Sequence, residues 1–295
     1  MLAKDLFQKI GFTEEMIDFY NENRPFYGEE CETLARAYMR EGKDYTEAYT
    51  QMRKVAPAVN EYSSDIIFIL ECTGYAHEDF KAKNISDDIF YNSMSDITYK
   101  MRECKTVKGV YGTFVPDWYN KFLKVERFAL GRLQYDPWEH LEDTININGF
   151  VVENGFKTLS CHIPSSGPLT YEAVLDSFKQ AYEFFSDRIK DGKLLIECFS
   201  WLLFPKYLSI FKECANNTYS FIRNFYLYDT YKYETFLDGW RVYGPDFEKC
   251  DIEELPENTR LQKGFKEYLK ENNDFGGARG ALLFDGKNIL TRRED

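Results

Sequence analysis

The spacing of apolar residues changes once along this 295-residue chain, near Gly109, and that change limits the fold more than any other feature. Before it, apolar residues recur at helical intervals. Phe90, Met94, Ile97 and Met101 stand at i, i+4, i+7 and i+11 behind Ser86-Asp87-Asp88, which is one helical face following an N-cap. Lys100, Arg102, Lys105 and Lys108 crowd the end of that segment, where cations suit the helix dipole. Thr13-Glu14-Glu15 opens an earlier helix, and residues 29–40 carry Leu34, Ala35, Ala37, Tyr38 and Met39 in another. Thr46 reads as the cap of a further helix ending near Pro57. The run Ile66-Ile67-Phe68-Ile69-Leu70 reads as a buried helix, with a strand as the alternative. Two Gly and a Pro within residues 109–116 mark a linker. Two parts are therefore expected: a helical domain over residues 1–118 and a sheet domain over residues 119–295.

After the linker the period tends toward two. Residues 125–135 read as a strand whose parity switches at Gly131-Arg132, the sign of a β-bulge. Residues 145–147 and 150–153 follow, and Asn154-Gly155 reads as a hairpin turn into residues 156–163. The loop Pro164-Ser165-Ser166-Gly167-Pro168 precedes a long helix capped by Thr170. The apolar run 194–203 has the character of a central strand covered on both faces. Pro205 starts a short helix that Asn216-Asn217 breaks, with Asn217 in the place of a C-cap. Residues 221–228 and 240–243 read as strands and 255–269 as containing a helix. Gly276-Gly277-Ala278-Arg279-Gly280 reads as a turn into a terminal hairpin of 281–284 with 287–290. This order implies an α+β protein: a helical domain, then a mixed β-sheet with helices on both faces.

Charge removes several function classes. The net charge is −12, and both parts are acidic: 14 basic against 21 acidic residues before 119, and 23 against 28 after. Without a basic stripe, nucleic acid and anionic membranes are not expected partners, whereas an amine-bearing substrate is compatible. No run of 18 apolar residues occurs and the first residues hold no signal-peptide core. Seven cysteines, odd in number and without a CxxC, fit a reduced, cytoplasmic setting. The three histidines are far apart and lack metal-ligand spacing, so no metal is expected.

Four segments carry a family resemblance: residues 126–134 (Glu-Arg-Phe-Ala-Leu-Gly-Arg-Leu-Gln), 161–169 (Cys-His-Ile-Pro-Ser-Ser-Gly-Pro-Leu), 198–203 (Cys-Phe-Ser-Trp-Leu-Leu) and 216–221 (Asn-Asn-Thr-Tyr-Ser-Phe). With the element order, they resemble bacterial two-domain proteins that join a helical acyltransferase N-terminal domain to a GNAT-like C-terminal domain. In the GNAT fold the loop before the central helix holds the diphosphate of CoA. Unpaired amides and the helix dipole favour an anion there. The family pattern at this point is Gln or Arg, two residues, Gly, one residue, then Gly or Ala. Here Gly167 matches the last position, while His162 and Ser165 depart from the others, and Pro164 and Pro168 contribute no N–H.

The resemblance implies an N-acyltransferase that moves an acyl group from acetyl-CoA or another acyl-CoA to an amine of a small molecule or peptide. The alternative is a non-catalytic ligand-binding or interaction protein that keeps the fold. His162, Ser165, Ser166, Gly167, Leu169 and Thr170 would meet the cofactor, with His162 either a ligand contact, a base, or a loop-fixing residue. Glu126 and Glu197 are candidate bases, each otherwise an ion-pair partner of Arg127 or Arg132. Tyr207 would protonate the leaving thiolate. Ser200, Trp201 and Asn217 would face the acceptor, Trp201 otherwise packing in the core.

Overall fold

The computed structural model describes residues 4–293. Its chain divides into two compact units. One comprises Met1–Ala129 with Pro164–Ser166, the other Leu130–Ile163 with Gly167–Asp295.

The first unit is helical. It contains α1 (Lys4–Lys9), α2 (Glu14–Asn23), α3 (Glu30–Glu41), α4 (Tyr45–Val55), α5 (Glu61–Ala82), α6 (Asp87–Lys108) and α7 (Asn120–Leu123). The apolar run 66–70 lies inside α5 with every side chain buried, so the helix reading holds and the strand does not. Thr13 and Ser86 cap α2 and α6 through the amides of Met16 and Ile89. The residue capping α4 is Asp44 rather than Thr46; its carboxylate takes the Glu47 amide, two positions earlier than expected. Phe90, Met94, Ile97 and Met101 are all buried on α6. At the core of this unit, Arg53 forks onto the buried Asp65 at 2.7 and 2.6 Å. No helix among the described residues is long and apolar enough to cross a membrane.

The second part of the chain runs β1 (Phe128–Leu130), β2 (Leu133–Glu139), β3 (Ile145–Ile147), β4 (Phe150–Val152), β5 (Lys157–His162), α8 (Tyr171–Phe184), β6 (Leu194–Ser200), α9 (Leu208–Cys214), α10 (Asn216–Ile222), β7 (Tyr226–Tyr233), α11 (Gly239–Tyr243), α12 (Arg260–Glu271) and β8 (Phe275–Phe284). Six strands form one mixed sheet in the order β1-β2-β5-β6-β8-β7, and β3-β4 form a separate ribbon. β5 and β6 pair in parallel, because α8 carries the chain back between them.

Several expected elements take another form. Gly131, at φ +63°, makes a turn between two strands and not a bulge within one. Asn154-Gly155 is not a hairpin turn. The ribbon β3-β4 closes through Asn148-Gly149, both at positive φ, and β5 pairs with β2 instead. Residues 221–222 end α10 and 240–243 lie in α11, so neither expected strand stands as read. Residues 276–280 are strand, not turn. Their glycines follow from close packing: a Cβ on Gly276 would lie 2.0 Å from the Tyr231 carbonyl oxygen. The second arm of the terminal hairpin shrinks to a single bridge, Phe284 to Ile289.

Alternation along the strands sorts side chains onto two faces. One face carries Tyr135, Cys161, Cys198 and Phe284 and packs on α8, where Ser177 meets Tyr135 and Phe178 meets Phe284. On the other, Leu195, Ala281 and Leu283 are covered by Ile147 and Val152 of the β3-β4 ribbon.

Candidate active site

The parallel ladder is short. Leu159, Ser160 and Cys161 pair with Ile196, Glu197 and Cys198, and there the pairing stops. Both strands nevertheless continue. His162 still pairs with Gln134 of β2, and Phe199 and Ser200 still pair with Arg279 and Ala278 of β8. Each strand follows its outer neighbour, so β5 and β6 part at their C-terminal ends. In open α/β sheets this is where ligands bind.

His162 closes β5 with its side chain 23% exposed. Its Nε2 lies 2.6 Å from Oδ1 of Asp136, whose side chain is only 2% exposed. A carboxylate only accepts, so Nε2 is the ring nitrogen that carries a hydrogen toward Asp136. Ser160 Oγ stands 3.4 Å from the same Nε2, so serine and aspartate meet one nitrogen, which is not the geometry of a Ser-His-Asp triad. What the arrangement offers is an imidazole base backed by a buried acid. Asp136 was not singled out from the sequence. The register supplies the pairing, since Asp136 stands opposite Ser160 and one position on the same face from His162.

The loop after β5 keeps its main-chain donors. Among the described residues, no hydrogen bond is drawn from the amides of Ser165, Ser166, Gly167 or Leu169. Gly167 sits at φ +129°, a conformation that favours glycine, and it is exposed. Its carbonyl and that of Pro168 accept from the Arg132 guanidinium at 2.6 and 3.1 Å. The Ser165 hydroxyl donates to Glu103 at 2.5 Å. Thr170 Oγ1 accepts from the Ala173 amide as the N-cap of α8, so that oxygen is already engaged in capping.

Glu197 is buried on β6, and its partner is neither Arg127 nor Arg132. Oε1 lies 2.5 Å from Nδ1 of His140 and 3.1 Å from the Tyr228 hydroxyl. His140 is fully buried, and its Nε2 lies 2.9 Å from the carbonyl oxygen of Asp143. A carbonyl only accepts, so Nε2 carries a hydrogen. One further proton therefore lies between Nδ1 and Oε1, and the pair shares it. Burial and the adjacent carboxylate push the Tyr228 hydroxyl well above its ordinary pKa. Spacing set His140 aside as a metal ligand, and its pairing with Glu197, 57 residues away, has no local sequence signal.

The other candidates fall elsewhere. Glu126 is not in a strand; it occupies an exposed turn after α7, its amide bonded to the Lys121 carbonyl. Tyr207 is buried at the start of α9, packed by Trp201, Phe204, Phe236, Phe265 and Tyr268. Among the described residues its hydroxyl has no hydrogen-bond partner, and burial raises its pKa. That surrounding is core packing. Trp201 belongs to the same aromatic group. Ser200 caps the turn after β6 through the Leu202 amide. Asn217 is exposed in the first turn of α10 and caps nothing at a C-terminus; Ala215 ends α9.

A parallel pair that parts beside an amide-bearing loop and a histidine defines an acyltransferase-like architecture, and comparison with known proteins agrees. An acyltransferase in complex with decanoyl-CoA superimposes with a TM-score of 0.70 at 18% identity, covering 95% of this chain and 86% of that one. An acyltransferase in complex with decanoyl-CoA and teicoplanin gives 0.69 at 16%, and an acyltransferase mutant in complex with octanoyl-CoA gives 0.68 at 16%, with the same coverage. None of the curated proteins compared matches the chain. Residues 1–125 match the N-acyltransferase N-terminal domain, and residues 128–282 match the GNAT-like C-terminal domain. The chain belongs to the family that joins these two domains.

Proposed function

We propose that this protein transfers an acyl group from an acyl-CoA to an amine of a small molecule or peptide. The observation that carries the reading is the ladder of β5 and β6, which ends after three pairs while both strands run on. The gap gives a pantetheine arm a place between the strands, and the amides of Ser165, Ser166, Gly167 and Leu169 give the diphosphate its donors. Similar folds bound to decanoyl-CoA and octanoyl-CoA support the donor, and one bound to teicoplanin supports a peptide-like acceptor.

In the reaction the amine nitrogen bonds to the thioester carbonyl carbon as the C–S bond breaks. His162, with Asp136 fixing its ring, takes the amine proton and returns it to the departing thiolate. Glu197 and His140 lie one position further from the mouth, roughly 7 Å along the strand.

Octanoyl-CoA at 100 times its Kd should stabilise the protein by about 2.7 kcal/mol, a rise in Tm of roughly 4 °C for a chain of this length. Ser165→Asp with Ser166→Asp should abolish that rise by placing like charge against the diphosphate. His162→Gln should keep the rise while slowing transfer by about 100-fold or more. Absence of any Tm shift with acetyl-, octanoyl- and decanoyl-CoA at millimolar concentration would overturn the reading and leave a protein that has the fold without the chemistry.

A further inference from the structure

Beside the mouth of the β5-β6 gap, β8 presents one cation on the face that carries Glu197. Arg279 pairs with Phe199, the first residue of β6 beyond the parallel ladder. Its side chain is 28% exposed. The guanidinium is held in place: Nε donates to the Tyr231 hydroxyl at 2.8 Å, and its carbon lies 5.5 Å from the ring centres of both Phe199 and Tyr231. Phe199 is half exposed, an apolar ring open to solvent next to a fixed charge. The neighbouring position on this face of β8 is Gly277, which adds no side chain over the ring.

The ion partner of Arg279 is weakly engaged. Glu142, itself 33% exposed, makes the contact through one oxygen at 3.3 Å, without a bidentate fork. Single contacts of this kind at an accessible site contribute little and exchange readily. Glu142 also lies outside any strand, between β2 and β3. Further inward on this face the Tyr228 hydroxyl meets Glu197, which meets His140.

We propose that Arg279 selects the acceptor: the amine substrate carries a carboxylate that displaces Glu142 and forks onto this guanidinium, with an apolar part of the substrate against Phe199. Planar, pre-oriented guanidinium is the group suited to paired bonds with a carboxylate. The inference rests on the acyl-transfer reading and deepens it by naming the acceptor class.

The test uses the full chain, octanoyl-CoA as donor, and a panel of α-amino acids and dipeptides, each paired with its own carboxamide, with product measured by mass spectrometry. The acid should exceed its amide in kcat/KM by at least about tenfold, because a site built around a charge-assisted pair rejects the partner that lacks it. Arg279→Met should bring that ratio to about one through KM, and Arg279→Lys should restore part of it. Glu142→Gln, which removes the competing carboxylate, should lower KM for the acids and keeps the proposal testable if Arg279→Met fails to fold. Affinities for CoA and 3′-dephospho-CoA should keep their ratio in Arg279→Met; a changed ratio would assign the guanidinium to the cofactor phosphate and overturn the proposal. Equal use of acid and amide, or no use of any carboxylate-bearing amine by a protein that binds octanoyl-CoA, would also overturn it. Failure to bind octanoyl-CoA at all would instead strike the acyl-transfer reading beneath it.

Discussion

Replacing Glu197 by alanine and by glutamine separates two accounts of the buried pair. His140 is fully buried and Glu197 is 6% exposed, so neither can turn to water when its partner is lost. In Glu197→Ala the imidazole keeps its bond to the Asp143 carbonyl and loses its partner at Nδ1, while the Tyr228 hydroxyl loses its acceptor. Breaking a buried pair in this way costs about 3–5 kcal/mol. Glutamine differs. With Nε2 protonated, a neutral His140 presents a lone pair at Nδ1; both His140 and Tyr228 meet the same oxygen, Oε1, so a glutamine amide nitrogen in that place can give one hydrogen to Nδ1 and the other to the Tyr228 oxygen. Glu197→Gln should therefore cost about 1 kcal/mol or less, the net worth of one exchanged hydrogen bond. The double variant His140→Phe with Glu197→Leu should recover most of the alanine loss, since apolar replacement of a buried pair is often neutral. Urea unfolding followed by far-UV circular dichroism reads all three. Equal losses for alanine and glutamine would refute the shared-proton geometry, and losses under about 1 kcal/mol for both would show that the pair does not hold the ribbon segment to the sheet.

Four further outcomes follow from the same structure. Burial raises the Asp65 carboxyl above its ordinary value of 3.8, against Arg53, which lowers it. The native state then binds that proton more tightly than the unfolded chain, so the stability difference between wild type and Asp65→Asn should fall as pH rises through and above the ordinary carboxylate range; a rising difference would mean that Arg53 dominates. Cys31, Cys72, Cys104, Cys161 and Cys198 are buried, with burial pushing the Cys104 thiol up to about 11, so a thiol reagent at neutral pH should modify Cys214 and Cys250 first and the other five only on unfolding. Gly276→Ala should cost about 1–3 kcal/mol or more, because its Cβ would meet the Tyr231 carbonyl at 2.0 Å and the Phe204 ring at 2.8 Å. Gly74→Ala, in open space within α5, should gain roughly 0.5–1 kcal/mol, and urea unfolding reads both glycine variants.

The helical half was legible because its signals are local. Ser86 before Asp87-Asp88, and Phe90, Met94, Ile97 and Met101 at helical spacing, need only one turn of neighbours to be read. The run Leu194 to Leu203 identified a central strand for the same reason, and the loop to Thr170 placed the long helix. Short strands and turns were less legible. Residues 240–243 and 276–280 adopt a helix and a strand against their local signals, because aromatic packing and the register with β6 and β7 override weak propensity.

By itself the sequence determined that helices precede a mixed sheet, that a glycine-bearing loop leads into a capped helix, and that His162 stands at that junction. Only tertiary structure decided which acids matter. It set Asp136 against His162 across 26 residues and His140 against Glu197 across 57, and it moved Glu126 to the surface and Tyr207 into the core. The physical reason is that helix caps and periodicity act between residues a few positions apart, whereas a side chain's charge state and reach depend on neighbours that strand pairing brings together from distant segments.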